Sequence, residues 1–332
     1  MKKIKVVQIG LAHDHANAAA ETLIKLSDIF DFAGIVLPQD DPKSPCGSSP
    51  KKFEGVKTLT LEQALSDPTI EAAVIETSEL NLTKYAQIFA DKGCAIQMDK
   101  PGGIVYSEYE NLINTARKKN LVFHTGYMYR YNPIIMQAVE MVKKGELGTI
   151  TSVEAHMDCL HTPEKRQWLS QFPGGMMFFL GCHLVDLIIQ IAGFPREIIP
   201  LNTCSHTDGV TADDIGFAVF KYDNGISFAK TAANETGGFM RRQLVIAGTK
   251  GTLEINPTER YREGCLFTDY YLSTRNGWGD RGEKQTSKPY DRYESMFRAF
   301  AEMVRGEREN PYTYDYELKL YKAVLQSCGM KI

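Results

Sequence analysis

Positive charge is not in excess anywhere that matters: 38 Lys+Arg stand against 41 Asp+Glu, a formal net charge of −3 over 332 residues. That balance excludes a polyanion binder, so nucleic acid is not an expected partner. The seven cysteines, at 46, 94, 159, 182, 204, 265 and 328, are odd in number and include no C-x-x-C, which excludes a disulfide framework and a zinc ribbon. No apolar run is long and clean enough for a bilayer. The most apolar window, 176–194, contains His183, Asp186 and Gln190, and reads as a buried helix. The basic start MKKIKVVQIG is interrupted at Gln8 and Gly10, too early for a signal-peptide core. Repeats and low-complexity tracts are missing as well. A cytoplasmic protein with reduced thiols and no membrane partner is expected. What is present is an ordinary globular composition, 43% hydrophobic and 24% charged, in a chain long enough for two domains of about 150 residues each.

The first half alternates two periodicities. A β-branched run at 5–9 ends in Gly10, and Ala16, Ala19, Ala20, Leu23 and Leu26 follow at helical spacing. Strands near 32–37, 72–75, 94–98 and 121–124 then interleave with helices at 61–66, 85–92 and 109–119. This βα rhythm predicts a doubly wound parallel sheet over residues 1–125. From 126 to 332 the text changes. Helices at 133–144 and 180–192 bracket a strand at 149–158, and the runs 215–222 and 226–232 flank Asp223-Asn224-Gly225, a hairpin signal. Strands at 243–247 and 252–255 join across Gly248–Gly251, and two amphipathic helices close the chain. An α/β domain with an open, mostly antiparallel sheet is expected there.

Gly10 follows a strand and precedes a helix, where a dinucleotide pyrophosphate sits on helix N–H groups. In the G-x-G-x-x-G frame the positions read Gly10, Ala12 and His15, so the second and third glycines are replaced. His13 and His15 make candidate phosphate or substrate contacts; two histidines at i and i+2 lack a third ligand, and no metal is expected. The acid that would grip a ribose hydroxyl after the second strand is displaced, because Leu37-Pro38-Gln39 precede Asp40 and Asp41. NAD and NADP are therefore both open. Lys100, held extended by Pro101, ends a buried strand at the carboxyl edge of the sheet, where ligands bind in such folds.

Asp99-Lys100-Pro101 resembles the Glu-Lys-Pro fingerprint of the Gfo/Idh/MocA (glucose-fructose oxidoreductase, inositol dehydrogenase and MocA) family. The resemblance continues through Gly126-Tyr127-Met128-Tyr129-Arg130-Tyr131-Asn132-Pro133, through Trp168 with Gly174-Gly175, through Gly181-Cys182-His183-Leu184-Val185-Asp186, and through Gly248-Thr249-Lys250-Gly251-Thr252-Leu253. It implies a Rossmann domain, then a substrate-binding and oligomerisation domain, and an NAD(P)-dependent oxidoreductase acting on a sugar, polyol or related hydroxy compound. Lys100 and His183 match the family's active-site lysine and histidine. Thr77 and Ser78 match its cofactor-facing loop, and Arg166 and Trp168 resemble residues that reach the nicotinamide side. A homo-oligomer, dimer or tetramer, is the family's habit.

Two departures leave the reaction open. Phe179 stands where the family's dehydrogenases have Asp, and Ser78, Glu79 and Leu82 replace the Pro-Asn-x-x-His continuation after Thr77. A redox-neutral, NAD-assisted epimerase, lyase or glycosidase and a non-catalytic ligand-binding regulator remain alternatives. Glu154, His156 and Asp158 alternate along one strand face, which suits a polyhydroxylated ligand, and Asp158 is a candidate for the missing carboxylate. Arg130 and Asn132 are further candidate substrate contacts. His156, Asp158, His161 and His183 together offer donor types that a metal uses, without distances to decide it.

Overall fold

The computed structural model describes residues 2–332 apart from 43, 54, 276 and 280. The chain forms two compact units, 1–127 with 293–321, and 128–292 with 322–332. The expected border near residue 125 is close to the first crossing. The closing helices were not expected to divide between the units.

In the first unit, β1 (Ile4–Ile9), α1 (Ala16–Lys25), β2 (Phe30–Val36), β3 (Thr58–Leu59), α2 (Leu61–Ser66), β4 (Ala72–Ile75), α3 (Leu82–Lys92), β5 (Ala95–Met98), α4 (Tyr106–Lys118) and β6 (Phe123–Thr125) follow in order. The strands form one parallel sheet, β3-β2-β1-β4-β5-β6. That is the dinucleotide-fold order, whose direction of winding reverses between β1 and β4. β4 and β5 are buried at every residue, as strands covered on both faces must be, hence their near-continuous apolar text. Helix α2 starts at a capping box between Thr60 and Gln63, and α3 ends at Gly93 in the left-handed region.

The second unit contains α5 (Pro133–Lys143), β7 (Ile150–His156), α6 (Pro163–Trp168), α7 (Cys182–Ala192), β8 (Glu197–Pro200), β9 (Ile215–Tyr222), β10 (Gly225–Ala232), β11 (Gln243–Gly248), β12 (Thr252–Ile255), β13 (Arg260–Arg262), β14 (Cys265–Phe267), β15 (Asp269–Ser273) and β16 (Gln285–Thr286). Eight strands pair in the order β16-β15-β12-β11-β7-β10-β9-β8, and only β7 and β10 run parallel. β7 alternates: Val153 and Ala155 are buried on the face that α7 covers, while Glu154 and His156 stand half-exposed on the other. A π-helical turn, Met177–Gly181, leads into α7, which is apolar on nearly every side and buried accordingly. Two more helices, α8 (Glu294–Val304) and α9 (Tyr314–Ser327), end the chain.

The return of α8 and the start of α9 to the first unit has a packing cause. Phe297 meets Phe30 edge-on at 6.3 Å, Tyr321 stacks on Tyr109 at 4.1 Å, and Glu317 accepts a hydrogen bond from Thr125 Oγ1 at 3.1 Å. Among the described residues no helix is long and apolar enough to cross a membrane.

In the second unit Arg130 lies wholly buried against Asp186 of α7, with Nε 3.1 Å from both carboxylate oxygens and Nη2 2.8 Å from Oδ1. Gln190 Nε2 adds a bond to Oδ2 at 2.7 Å. Breaking such a pair leaves an uncompensated buried charge. Asp186→Ala is expected to cost about 3–5 kcal/mol of stability, read as a lowered midpoint in urea denaturation.

Candidate active site

The strand ends at the switch point bring seven titratable side chains into one volume. The turn after β1 carries His13, Asp14 and His15; the loop after β4 carries Glu76 and Glu79; β5 runs into Asp99 and Lys100. His13, Glu79 and Lys100 have no exposed surface. The turn is tight because Gly10 adopts φ +89°, and a Cβ there would lie 2.7 Å from both N and Cα of Thr77. Any side chain at position 10 would therefore force β1 away from the β4 loop.

His13 Nε2 donates to the Lys100 carbonyl oxygen at 3.1 Å, and His15 Nδ1 bonds Asp99 at 3.0 Å. The Lys100 amide donates to Asp99 Oδ1 at 2.6 Å, and Lys100 Nζ lies 3.7 Å from Asp14 Oδ1. Burial lowers the His13 pKa to about 4, so the ring is neutral at pH 7. Burial raises Glu79 to about 8, against the pull of Lys100. Glu76 is pushed well above the carboxylate range by burial first and then by the Asp99 charge. Asp99, despite its burial, is held below that range by His13, His15 and Lys100. Glu79 thus holds its proton at neutral pH, Glu76 is shifted in the same direction, and Asp99 is shifted in the opposite one. Groups whose environments drive their pKa values apart are a mark of proton-handling sites.

These residues fit a dinucleotide. Helix α1 has no acidic residue in its first turn and no side-chain cap at His15, which leaves its positive end to an anion. Ser78 Oγ is a buried hydroxyl with no hydrogen-bond partner among the described residues. Thr77 beside it bonds the Ser78 carbonyl at 3.2 Å. Alanine and histidine, Ala12 and His15, stand in place of two glycines. Over the same turn the Ser48 amide donates to the Leu11 carbonyl at 2.7 Å, and Gly47 lies against Ala12. The two acids after β2 face α3: Asp40 binds Lys84 and Tyr85, and Asp41 accepts from the Ser78 amide at 3.0 Å.

Other expected site residues, all in the second unit, are placed differently. Arg130 is committed to Asp186, and Asn132 is a helix cap: its Oδ1 accepts from the Ile134 and Ile135 amides, and its Nδ2 reaches Thr258, Thr268 and Tyr290. Both serve the fold where substrate contacts were expected. Arg166, expected at the cofactor, is buried with Nη1 on Thr207 Oγ1 at 2.7 Å and on Asp214 Oδ2 at 3.0 Å. Trp168 packs edge-on to Phe179 at 5.4 Å, so the position of the family's Asp is filled by an aromatic cluster. His183, at the start of α7, is buried with its ring 5.2 Å from that of Tyr129.

His156 and Asp158 lie on the sheet face away from α7, so the structure does not bring them to His183. Asp158 Oδ1 binds Lys230 Nζ at 2.9 Å; its Oδ2 and His156 Nδ1 are buried without a hydrogen-bond partner among the described residues. Burial raises the Asp158 pKa, and burial followed by Lys230 lowers that of His156. His161 Nε2 sits 3.1 Å from Cys159 Sγ. Among the described residues, three donor atoms come within 4.8 Å of one another in the His13 cluster, not in this set.

Glu76, Glu79, Asp14 and Asp99 were the residues that reading the sequence for sites passed over. For three of them the signal was charge close behind a fully buried strand: Glu76 and Glu79 behind β4, Asp99 behind β5.

Comparison with known proteins places this geometry. Residues 135–254 match the GFO/IDH/MocA C-terminal domain. An uncharacterised oxidoreductase of Schizosaccharomyces pombe is 29% identical over 149 residues, 44% of this chain and 40% of that protein. Trans-1,2-dihydrobenzene-1,2-diol dehydrogenase of Bos taurus is 24% identical over 211 residues, 61% of each. The crystal structure of aldose-aldose oxidoreductase from Caulobacter crescentus, complexed with glycerol, superimposes with a TM-score of 0.78 at 16% identity, over 99% of this chain and 98% of that one. At that identity the likeness shows the fold. The chain spans 40–61% of the length of the first curated relatives it matches. The sheet order and the site together define a Rossmann-type α/β protein with a second, mostly antiparallel domain. Residues 135–254 thus carry the C-terminal domain of the family that the Asp99-Lys100-Pro101 resemblance implied.

Gly10→Ala tests the turn. With positive φ and backbone atoms at 2.7 Å, it is expected to lower stability by about 2 kcal/mol or more, seen as a drop in the urea midpoint.

Proposed function

We propose that the protein is an NAD(P)-dependent oxidoreductase acting on a sugar, polyol or related hydroxy compound. The observation that carries this reading is Lys100: fully buried at the carboxyl edge of β5, beside the switch point, inside a cluster in which protonated and ionised carboxyls adjoin. When bound, the nicotinamide would accept or return a hydride at the carbinol carbon. The first-unit residues His15, Ser78 and the amides of α1 would hold the dinucleotide. In the reducing direction the Lys100 ammonium gives a proton to the carbonyl oxygen, and in the oxidising direction the neutral amine takes the hydroxyl proton, with Asp14 3.7 Å from Nζ. His183, matching the family's histidine, is assigned to the same hydroxyl. The names of the curated relatives, a diol dehydrogenase among them, support the hydroxy-compound class. We assign a homo-oligomer contact to the half-exposed face of the second unit's sheet, where Phe217 and Phe228 stack at 5.4 Å.

Titrating the purified chain with NAD, NADH, NADP and NADPH tests the reading: micromolar binding of one pair is expected, and no binding of any by a folded sample overturns it. With a sugar and polyol screen followed at 340 nm, Lys100→Met is expected to lower kcat by about 10²–10⁴-fold while cofactor affinity is kept. Turnover without accumulation of reduced cofactor would favour the redox-neutral chemistry instead.

A further inference from the structure

Arg241 and Arg242 stand side by side at the entry to β11, and the alternation of a strand sends them to opposite faces. Leu244 and Ile246 pair directly with Ala155 and Val153, so they share the face of the sheet that α7 covers. Arg242, two residues before Leu244 and with extended backbone, carries that face on and is buried. Arg241 takes the other face, exposed and paired with Glu235.

Among the described residues three arginines are buried, all in the second unit, and two of them have carboxylates of their own. Arg130 has Asp186, and Arg166 has Asp208 and Asp214. Arg242 differs. Its nearest carboxylate among the described residues is Glu259, 3.9 Å from Nη1, and that group is committed elsewhere: its two oxygens accept from Arg292 at 2.8 and 2.6 Å, and Oε2 accepts from the Tyr129 hydroxyl at 2.8 Å. Of the guanidinium donors of Arg242, Nε reaches the Asp158 carbonyl oxygen at 3.5 Å and Nη1 the Tyr129 hydroxyl at 3.1 Å. Nη2 forms no hydrogen bond among the described residues.

Two further contacts make this a prepared donor. The Phe239 ring lies over the guanidinium, its centre 4.5 Å from Cζ, which fixes the plane and leaves the edge to a ligand. Tyr129 then joins that edge to His183: its hydroxyl accepts from Arg242, and its ring centre lies 5.2 Å from that of the histidine. A buried cation with unspent donors is completed by an anion, and the fork of a guanidinium matches a carboxylate.

We propose that Arg242 selects the substrate, and that the hydroxy compound carries a carboxylate, as an aldonate or a uronate does. The reaction part of this assignment rests on the oxidoreductase reading, whereas the binding part rests on the second unit alone. The carboxylate accepts from Nη2 and supplies the counter-charge that Glu259, held by Arg292, does not. A neutral sugar leaves those donors unmatched, so the site discriminates against it.

The full chain is titrated calorimetrically with gluconate, glucuronate and galacturonate, and with glucose and galactose as neutral parents, in the presence and absence of NADH and NADPH. Wild type is expected to bind an acid of this set about 10–100-fold more tightly than its parent. Arg242→Gln is expected to abolish that preference and leave the affinity for the neutral parent unchanged, while Arg242→Lys keeps part of it. Turnover of the same compounds with NAD and NADP, followed at 340 nm, is expected to show the loss in KM more than in kcat. Equal affinity of wild type for acid and parent, or a preference that folded Arg242→Gln retains, overturns the assignment. Circular dichroism checks the fold, and the wild-type preference decides the matter where a variant does not fold. Acids bound through Arg242 but turned over with neither cofactor keep the carboxylate site and remove the oxidoreductase reading; turnover of neutral sugars without preference for the acids does the reverse.

Discussion

The close approach of the β1 turn to the β4 loop is the constraint on which the rest of the first unit depends. Gly10 permits it, and the sheet order then makes the ends of β1, β4 and β5 converge. Four carboxyls, two imidazoles and an ammonium meet there with little water. In such a volume charges cannot all coexist, so the groups settle their protonation against one another: His13 gives up its charge, Glu79 keeps its proton, Glu76 is pushed the same way, and Asp99 is pushed the other. The fold positions the chemistry, and the chemistry in turn is what a buried strand end of this composition must accommodate.

The second unit solves its polar burial differently. Arg130 with Asp186, and Arg166 with Asp214, are paired charges that tie turns and loops to α7 and to the sheet. Their donors are directed inward by residues far along the chain, Asp186 lying 56 positions from Arg130. Around Phe179, by contrast, aromatic rings replace a polar group, so the side of α7 that begins at His183 is set in hydrophobic packing.

Most of the architecture was legible in the sequence because it is written locally. The helix at 61–66 and the strand at 72–75 fall where periodicity put them, the other expected elements of the first unit differ by a few residues at their ends, and the two-residue edge strand β3 was not expected. Asn132 before Pro133 has the pattern of a helix start, and its side chain caps α5. The partners of Arg130 and Arg166 were not legible, since no pattern of spacing tells a buried pair from a binding site. Nor was the acidic cluster, whose members come from three separate segments, at 14, 76–79 and 99. The face of β7 was readable as alternating, but which face α7 covers is a tertiary fact.

The first unit is discontinuous: its core includes Phe297 on Phe30 and Tyr321 on Tyr109, contributed by residues 293–321. On a ribosome the parallel sheet is therefore synthesised in full long before the helices that cover it. Until α8 and α9 emerge, Phe30 and Tyr109 in the nascent N-terminal half lack the rings of Phe297 and Tyr321 that pack on them in the finished unit, an interval in which chaperone engagement and misassembly compete with folding.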